Sequence, residues 1–204
     1  MDDRPMYHEE SRKLQDQFDT RRLADRLVER LLRSTFTDED RAFIEAQRMF
    51  FLATTDADGF PDCSYKGGDA GFVRVIDERT LVFPSYDGNG MFKSLGNIRA
   101  NPAVGLLFMS FEEPKRLRVN GTATVTADDK LMELFPGAQL LVRVTPRQIF
   151  PNCPRYIPRM QMLEQSPYVP RPGACVPIPT WKKRPHFKEV LPSGDPALNE
   201  DGDN

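Results

Sequence analysis

The chain has 204 residues, with 28 basic against 30 acidic side chains and a formal net charge of -2, a balance that supplies no global field to draw in nucleic acid. Hydrophobic residues make up 39% and the mean hydropathy is -0.52, values of an ordinary globular protein. The longest apolar run, Ala103 to Met109, is far short of the ~20 residues of a membrane helix, so neither membrane nor nucleic acid is expected as a partner.

Residues Met1-Asp2-Asp3-Arg4 are polar with no apolar stretch behind them, and no secretory signal is expected. Residues 1 to about 35 read as an extension with one helix, because Leu14, Phe18, Leu27, Val28, Leu31 and Leu32 recur at helical steps. Thr37 offers an N-cap, and Asp38, Glu39 and Asp40 place negative charge in the first turn of a second helix to about Gln47. From Met49 the pattern turns to strands: Met49–Thr55, the Asp58-Gly59 turn, Pro61–Tyr65, a glycine-rich loop Lys66–Gly71, Phe72–Ile76 and Thr80–Phe83. A loop then leads into a short helix, Met91 to about Arg99, ended by Asn101-Pro102. Strands follow at Ala103–Phe108 and Leu117–Val125, then a brief helix at Asp128–Leu134, then a strand at Leu140–Val144 that resumes at Gln148–Phe150.

Seven short strands with one inserted helix predict a mainly β (α+β) fold, a closed or nearly closed antiparallel barrel. The expected organisation is an N-terminal helical extension (1–36), a barrel domain (37–150) and a proline-rich C-terminal wrap (151–204). Prolines concentrate after Phe150, and the end, from about Ser193, is expected to be disordered.

Cys63, Cys153 and Cys175 are odd in number, widely spaced and without a CxxC pair. They argue against a disulfide scaffold and a structural zinc, and fit a reducing cytoplasm. His8 and His186 lie in polar or proline-rich flanks, so a multi-His metal centre or a hydrolytic triad is disfavoured.

The segment from Ser85 to Ser94 carries the most chemistry. It passes Gly88 and Gly90 and opens a helix with Lys93 and Ser94 in its first turn, an arrangement that holds an anion. Phe92 stands where a Walker loop has glycine, and Lys93 where a dinucleotide fingerprint has its third; a plain loop and helix start is the alternative. On the strand before Gly67 and Gly68, Ser64 and Lys66 share one face and Tyr65 lies on the other. The glycines would let backbone approach a flat ligand, against the alternative of a solvated hairpin edge. Arg116, Arg118 and Asn120 share a strand face that suits phosphate or is simply solvated. Cys153-Pro154-Arg155-Tyr156 is a compact cluster after the last strand, expected to wall a pocket without covalent chemistry. Trp181 is expected to anchor the tail.

From about Phe50 to Val125 the chain resembles the FMN-binding split barrel of the pyridoxamine 5'-phosphate oxidase-like proteins. The resemblance rests on Phe51-Leu52-Ala53-Thr54, Asp58-Gly59-Phe60-Pro61, Ser64-x-Lys66-Gly67-Gly68, Leu81-x-Phe83-Pro84 and Asn89-x-Met91-Phe92. It continues through Asn97-Ile98-x-x-Asn101-Pro102 and Arg116-Leu117-Arg118-Val119-x-Gly121, and Phe150-Pro151-Asn152-Cys153-Pro154-Arg155-Tyr156 looks like a bacterial subgroup. It implies a split antiparallel barrel and a homodimer with FMN between subunits. The phosphate would sit against Lys93, Ser94 and Arg116, and the ring along Ser64, Tyr65, Lys66 and Ser85. Asn89, Met91 and Arg118 complete the implied cofactor set, and Cys153, Arg155 and Tyr156 the pocket lining. After Trp181 the chain reads Lys182-Lys183-Arg184-Pro185-His186, without the Arg-His signature of true vitamin B6 oxidases, and Gly90 replaces a basic residue common in relatives. The implied activity is FMN-dependent oxidation or reduction of an unassigned small molecule. The alternatives are a flavin storage or sensor module and an F420-binding reductase; haem is disfavoured, with no His in the barrel.

Overall fold

The computed structural model describes residues 5–199; residues 1–4, read as free of a secretory signal, and 200–204, the end of the expected tail, lie outside them. The expected single N-terminal helix is two, α1 (Glu9–Gln17) and α2 (Arg21–Leu31). Between them Asp19 adopts φ 51°, a left-handed conformation that Asp tolerates better than most residues. Helix α3 (Asp38–Ala46) starts on a capping box: Thr37 Oγ1 accepts from the Asp40 amide at 3.2 Å and Asp40 accepts from the Thr37 amide at 3.0 Å. Asp40 is buried and also binds Arg33, at 2.6 and 2.8 Å.

Seven antiparallel strands follow: β1 (Met49–Thr55), β2 (Pro61–Gly67), β3 (Arg74–Asp77), β4 (Thr80–Ser85), β5 (Ala103–Ser110), β6 (Lys115–Thr126) and β7 (Leu140–Pro151). Their order is β2-β1-β5-β6-β7-β4-β3. The sheet is not closed, so of the closed or nearly closed forms expected it takes the open one, in agreement with a split barrel. Strand β4 pairs with β7 only over Leu140–Val144. Beyond that stretch Arg33 occupies the free edge of β7, exchanging both backbone hydrogen bonds with Ile149 at 2.9 and 2.7 Å. The Phe36 amide donates to the Glu78 carbonyl in the β3–β4 turn, and the Val75 amide of β3 to the Glu45 carboxylate of α3, at 2.8 and 3.0 Å. The segment before the strands thus satisfies edges that would otherwise be unpaired.

Strand β7, expected in two pieces, is continuous because a bulge absorbs its irregularity. The β6–β7 register shifts between Asn120 and Gly121, opposite Pro146. A Cβ at Gly121 would stand 2.1 Å from the Thr145 carbonyl oxygen, so the bulge requires glycine there.

One face of the sheet curls around the core, with Phe50, Leu52, Leu106, Phe108, Val119 and Ile149 fully buried. Helix α4 (Lys93–Ala100) contributes Leu95 and Ile98 to it, and Asn97 Nδ2 donates to Thr54 Oγ1 at 3.0 Å.

The chain divides into two compact units, Met1–Leu163 and Glu164–Asn204, later than the expected boundary at 150/151. In the second, Trp181 meets Phe187 edge-on at 5.5 Å, beside a single helical turn, α5 (Pro185–Lys188). Lys182 Nζ binds Asp195 at 2.7 Å with both side chains buried, and Asp195 caps the turn Pro196–Leu198. The stretch from Ser193, expected to be disordered, thus has defined contacts up to residue 199. Among the described residues no helix is long and apolar enough to cross a membrane.

Candidate functional site

The loop before α4 is built to leave the helix N-terminus free. Asn89 Oδ1 accepts from the Met91 amide at 3.0 Å, Gly90 has φ 74°, and Phe92, at the N-cap, is forced to φ 47° with no side-chain cap. A non-glycine residue held there stores strain on the order of 1 kcal/mol or more. Met91 and Phe92 are 71% and 51% exposed. The first-turn amides have no intrahelical partner. Ser94 in that turn is buried, and Lys93 is exposed with no ion pair among the described residues. A positive dipole end, free amides, a hydroxyl and an ammonium thus lie within one helical turn, the groups that an anion calls for.

Register sorts the other candidates onto two faces. Ser64 pairs with Leu52, and Lys66 with Phe50, on the core-facing side, the side on which α4 packs against β1 and β2. Lys66 is half-buried, and burial pulls its pKa below the usual lysine value, with Asp62 opposing. Ser85 ends β4 opposite Leu140. The adjacent Tyr86, which the sequence reading did not single out, has its pKa raised by burial and by the charge of Asp69.

Tyr65 aligns across the sheet with Phe51, Leu107, Arg118 and Phe150 on the opposite face. Arg116, two residues from Arg118 and opposite Met109, shares that face. Arg118 is exposed with its guanidinium 6.0 Å from the Phe150 ring, and the buried Nε of Arg116 has no partner. Thr54, which holds α4, pairs with Val104. Arg116 lies at Met109, roughly 17 Å further along β5. One chain therefore does not bring Arg116 to Lys93 and Ser94, where a shared phosphate had been expected.

A Cβ at Gly67 would stand 2.6 Å from the Tyr65 hydroxyl, and one at Gly68 2.5 Å from Phe72, so these glycines accommodate the chain's own rings. Cys153, Arg155 and Tyr156 follow β7 in a turn closed by the Ile157 amide on the Pro154 carbonyl at 2.9 Å. All three are exposed, Tyr156 at 91%, with Arg155 6.0 Å from the Tyr156 ring. Asn152, just before them, was missed: its Oδ1 is buried without a partner.

The family model for pyridoxamine 5'-phosphate oxidase matches residues 36–167, and the chain belongs to that family, whose members commonly bind a flavin. Among solved structures, HupZ from Group A Streptococcus is similar at 21% identity, covering 57% of this chain and 93% of its own, with a TM-score of 0.46. A putative pyridoxamine 5'-phosphate oxidase from Lactobacillus delbrueckii is similar at 26% identity, 58% and 95% coverage and a TM-score of 0.45. An FMN-binding protein from Syntrophomonas wolfei is similar at 11% identity, 70% and 96% coverage and a TM-score of 0.43. No curated protein sequence matches the chain significantly.

Proposed function

We propose that this protein is an FMN-dependent oxidoreductase of a small-molecule substrate, working as a homodimer in the cytoplasm. The observation that carries the reading is the uncapped N-terminus of α4, with Lys93 and buried Ser94 in its first turn. The other candidates fit the same cofactor: Ser64, Lys66 and Ser85 are polar groups for a ring, and the unpartnered Arg116 Nε is a donor in want of an acceptor. Bound FMN supplies hydride transfer, while the chain's residues bind, orient and set the local charge. Lys93 and Ser94 grip the phosphate, and the half-buried Lys66 holds positive charge beside the ring. Arg116, Arg118 and Tyr65 lie on the other sheet face, which favours a site completed by a second copy whose outer face meets the first copy's α4.

Lys93→Ala should weaken FMN binding by about 1.5–3 kcal/mol, the scale of a charge-assisted hydrogen bond, in a fluorescence titration. Unchanged affinity would remove α4 from the site. Light scattering should give twice 23.3 kDa, and a monomer holding stoichiometric FMN would overturn the two-copy arrangement. The exposure of Cys153, Arg155 and Tyr156 favours one further reading, flavin binding without turnover. NADH or NADPH oxidation with a panel of quinones separates the two, and the absorption spectrum of the purified protein separates FMN from F420.

A further inference from the structure

Three successive rungs on the outer face of β6 and β7 behave differently. At the first, Asn120 faces Gln148, and Asn120 Nδ2 donates to Gln148 Oε1 at 3.4 Å. At the second, Arg118 faces Phe150 and rests over its ring. The last pair of the ladder, on the core side, is Leu117 with Pro151, so the antiparallel register continued by one step sets Arg116 against Asn152. At this third rung two atoms are left over: Arg116 Nε and Asn152 Oδ1 are both buried, and neither has a partner among the described residues. An unmet buried polar atom is costly, and here a donor and an acceptor are left unmet at positions that the continued register sets opposite each other.

We infer that Arg116 and Asn152 form a two-point reader for a cis-amide edge, a carbonyl beside an N–H. The carbonyl accepts from Arg116 Nε and the N–H donates to Asn152 Oδ1. A carboxylate or phosphate satisfies the arginine and leaves the asparagine oxygen facing another acceptor; an amide or imide satisfies both. The positive charge of Arg116 further favours a carbonyl that carries or gains negative charge. This chemistry has two sources: the pyrimidine ring of the proposed flavin, where the inference rests on the cofactor reading, and an amide, lactam or imide group of the substrate.

The test titrates the whole protein with FMN, with FMN methylated at ring N3, and with uracil, the last with and without FMN. If the flavin fills the pair, N3-methylation weakens binding about tenfold or more. Asn152→Leu then binds both flavins equally, and Asn152→Asp, which keeps the acceptor, restores the discrimination. If the substrate fills it, N3-methylation has no effect, and uracil binds the FMN-loaded protein in a way lost in Asn152→Leu and kept in Asn152→Asp. Circular dichroism of each variant reports that it is folded. Equal binding of the two flavins with no Asn152-dependent uracil binding overturns the inference and leaves the cofactor reading standing. If FMN does not bind at all, the cofactor reading falls, and uracil binding to the flavin-free protein still decides the pair: dependence on Asn152 supports it, and its absence overturns it.

Discussion

Lys66 shows what a half-buried amine implies when no carboxylate is bonded to it. Its folded-state pKa is lowered by burial, so folding disfavours the charged form. The resulting penalty is present at neutral pH and is relieved as the pH rises through the range where the amine loses its proton. Lys66→Met should leave the melting temperature at pH 7 unchanged or raised, with any gain shrinking at alkaline pH, while FMN affinity falls about tenfold or more. A variant that loses stability and keeps its affinity would show that Lys66 serves packing instead. The places of Lys66 on β2 and of Lys93 and Ser94 in the first turn of α4 were legible in the sequence, because strand alternation and helix starts are read within a few residues. Asn152 was not legible. Its position beside Arg116 depends on the bulge at Gly121; without that shift, every rung from Asn120 onward would pair with a different residue of β7.

Among the elements, helix α3 was read correctly because Thr37 and Asp40 cap it from within one turn. The break between α1 and α2 was hidden, since the leucine spacing runs through Phe18-Asp19 without interruption and no glycine or proline marks the left-handed residue. The short 3-10 helix Lys130–Leu134 is tied to β7 by a two-point contact between Asp129 and Arg143. The hydrogen bonds from Arg143, and then from the Leu131 amide, hold the Asp129 carboxyl below its ordinary pKa. A depressed carboxyl stabilises the fold above its unfolded pKa, and the benefit is lost as pH falls through the folded value. Asp129→Asn should therefore cost about 1–2 kcal/mol at pH 7, a figure discounted because Arg143 is partly exposed. The gap between variant and wild type in urea melts should close as the pH drops below about 4. A gap independent of pH would assign the loss to shape alone.

For the whole molecule, the antiparallel class and the number of strands followed from alternation and turn residues, whereas the openness of the sheet did not. Closure depends on which edges find partners, and those partners come from residues far away in sequence: Arg33 for β7, Phe36 for the β3–β4 turn and Glu45 for β3. The same limit applied to the site. Its residue types, and the alternation that parts Ser64 and Lys66 from Tyr65, were visible along the chain, but that Tyr65, Arg116 and Arg118 share one face across different strands became visible only with the strand order.

The pairing of Arg33 with Ile149 also dictates an order of events during synthesis. A chain leaves the ribosome from its N-terminus, so Arg33 emerges long before the strand that receives it. Until Ile149 follows, Arg33 has no strand to pair with, and the β3–β4 pair, with the segment that docks on it through Phe36 and Glu45, has no strand to join, because β4 pairs only with β3 and β7. Translation of nearly the whole first unit thus precedes the contact that completes it, and the nascent chain carries its unsealed strands through most of that interval.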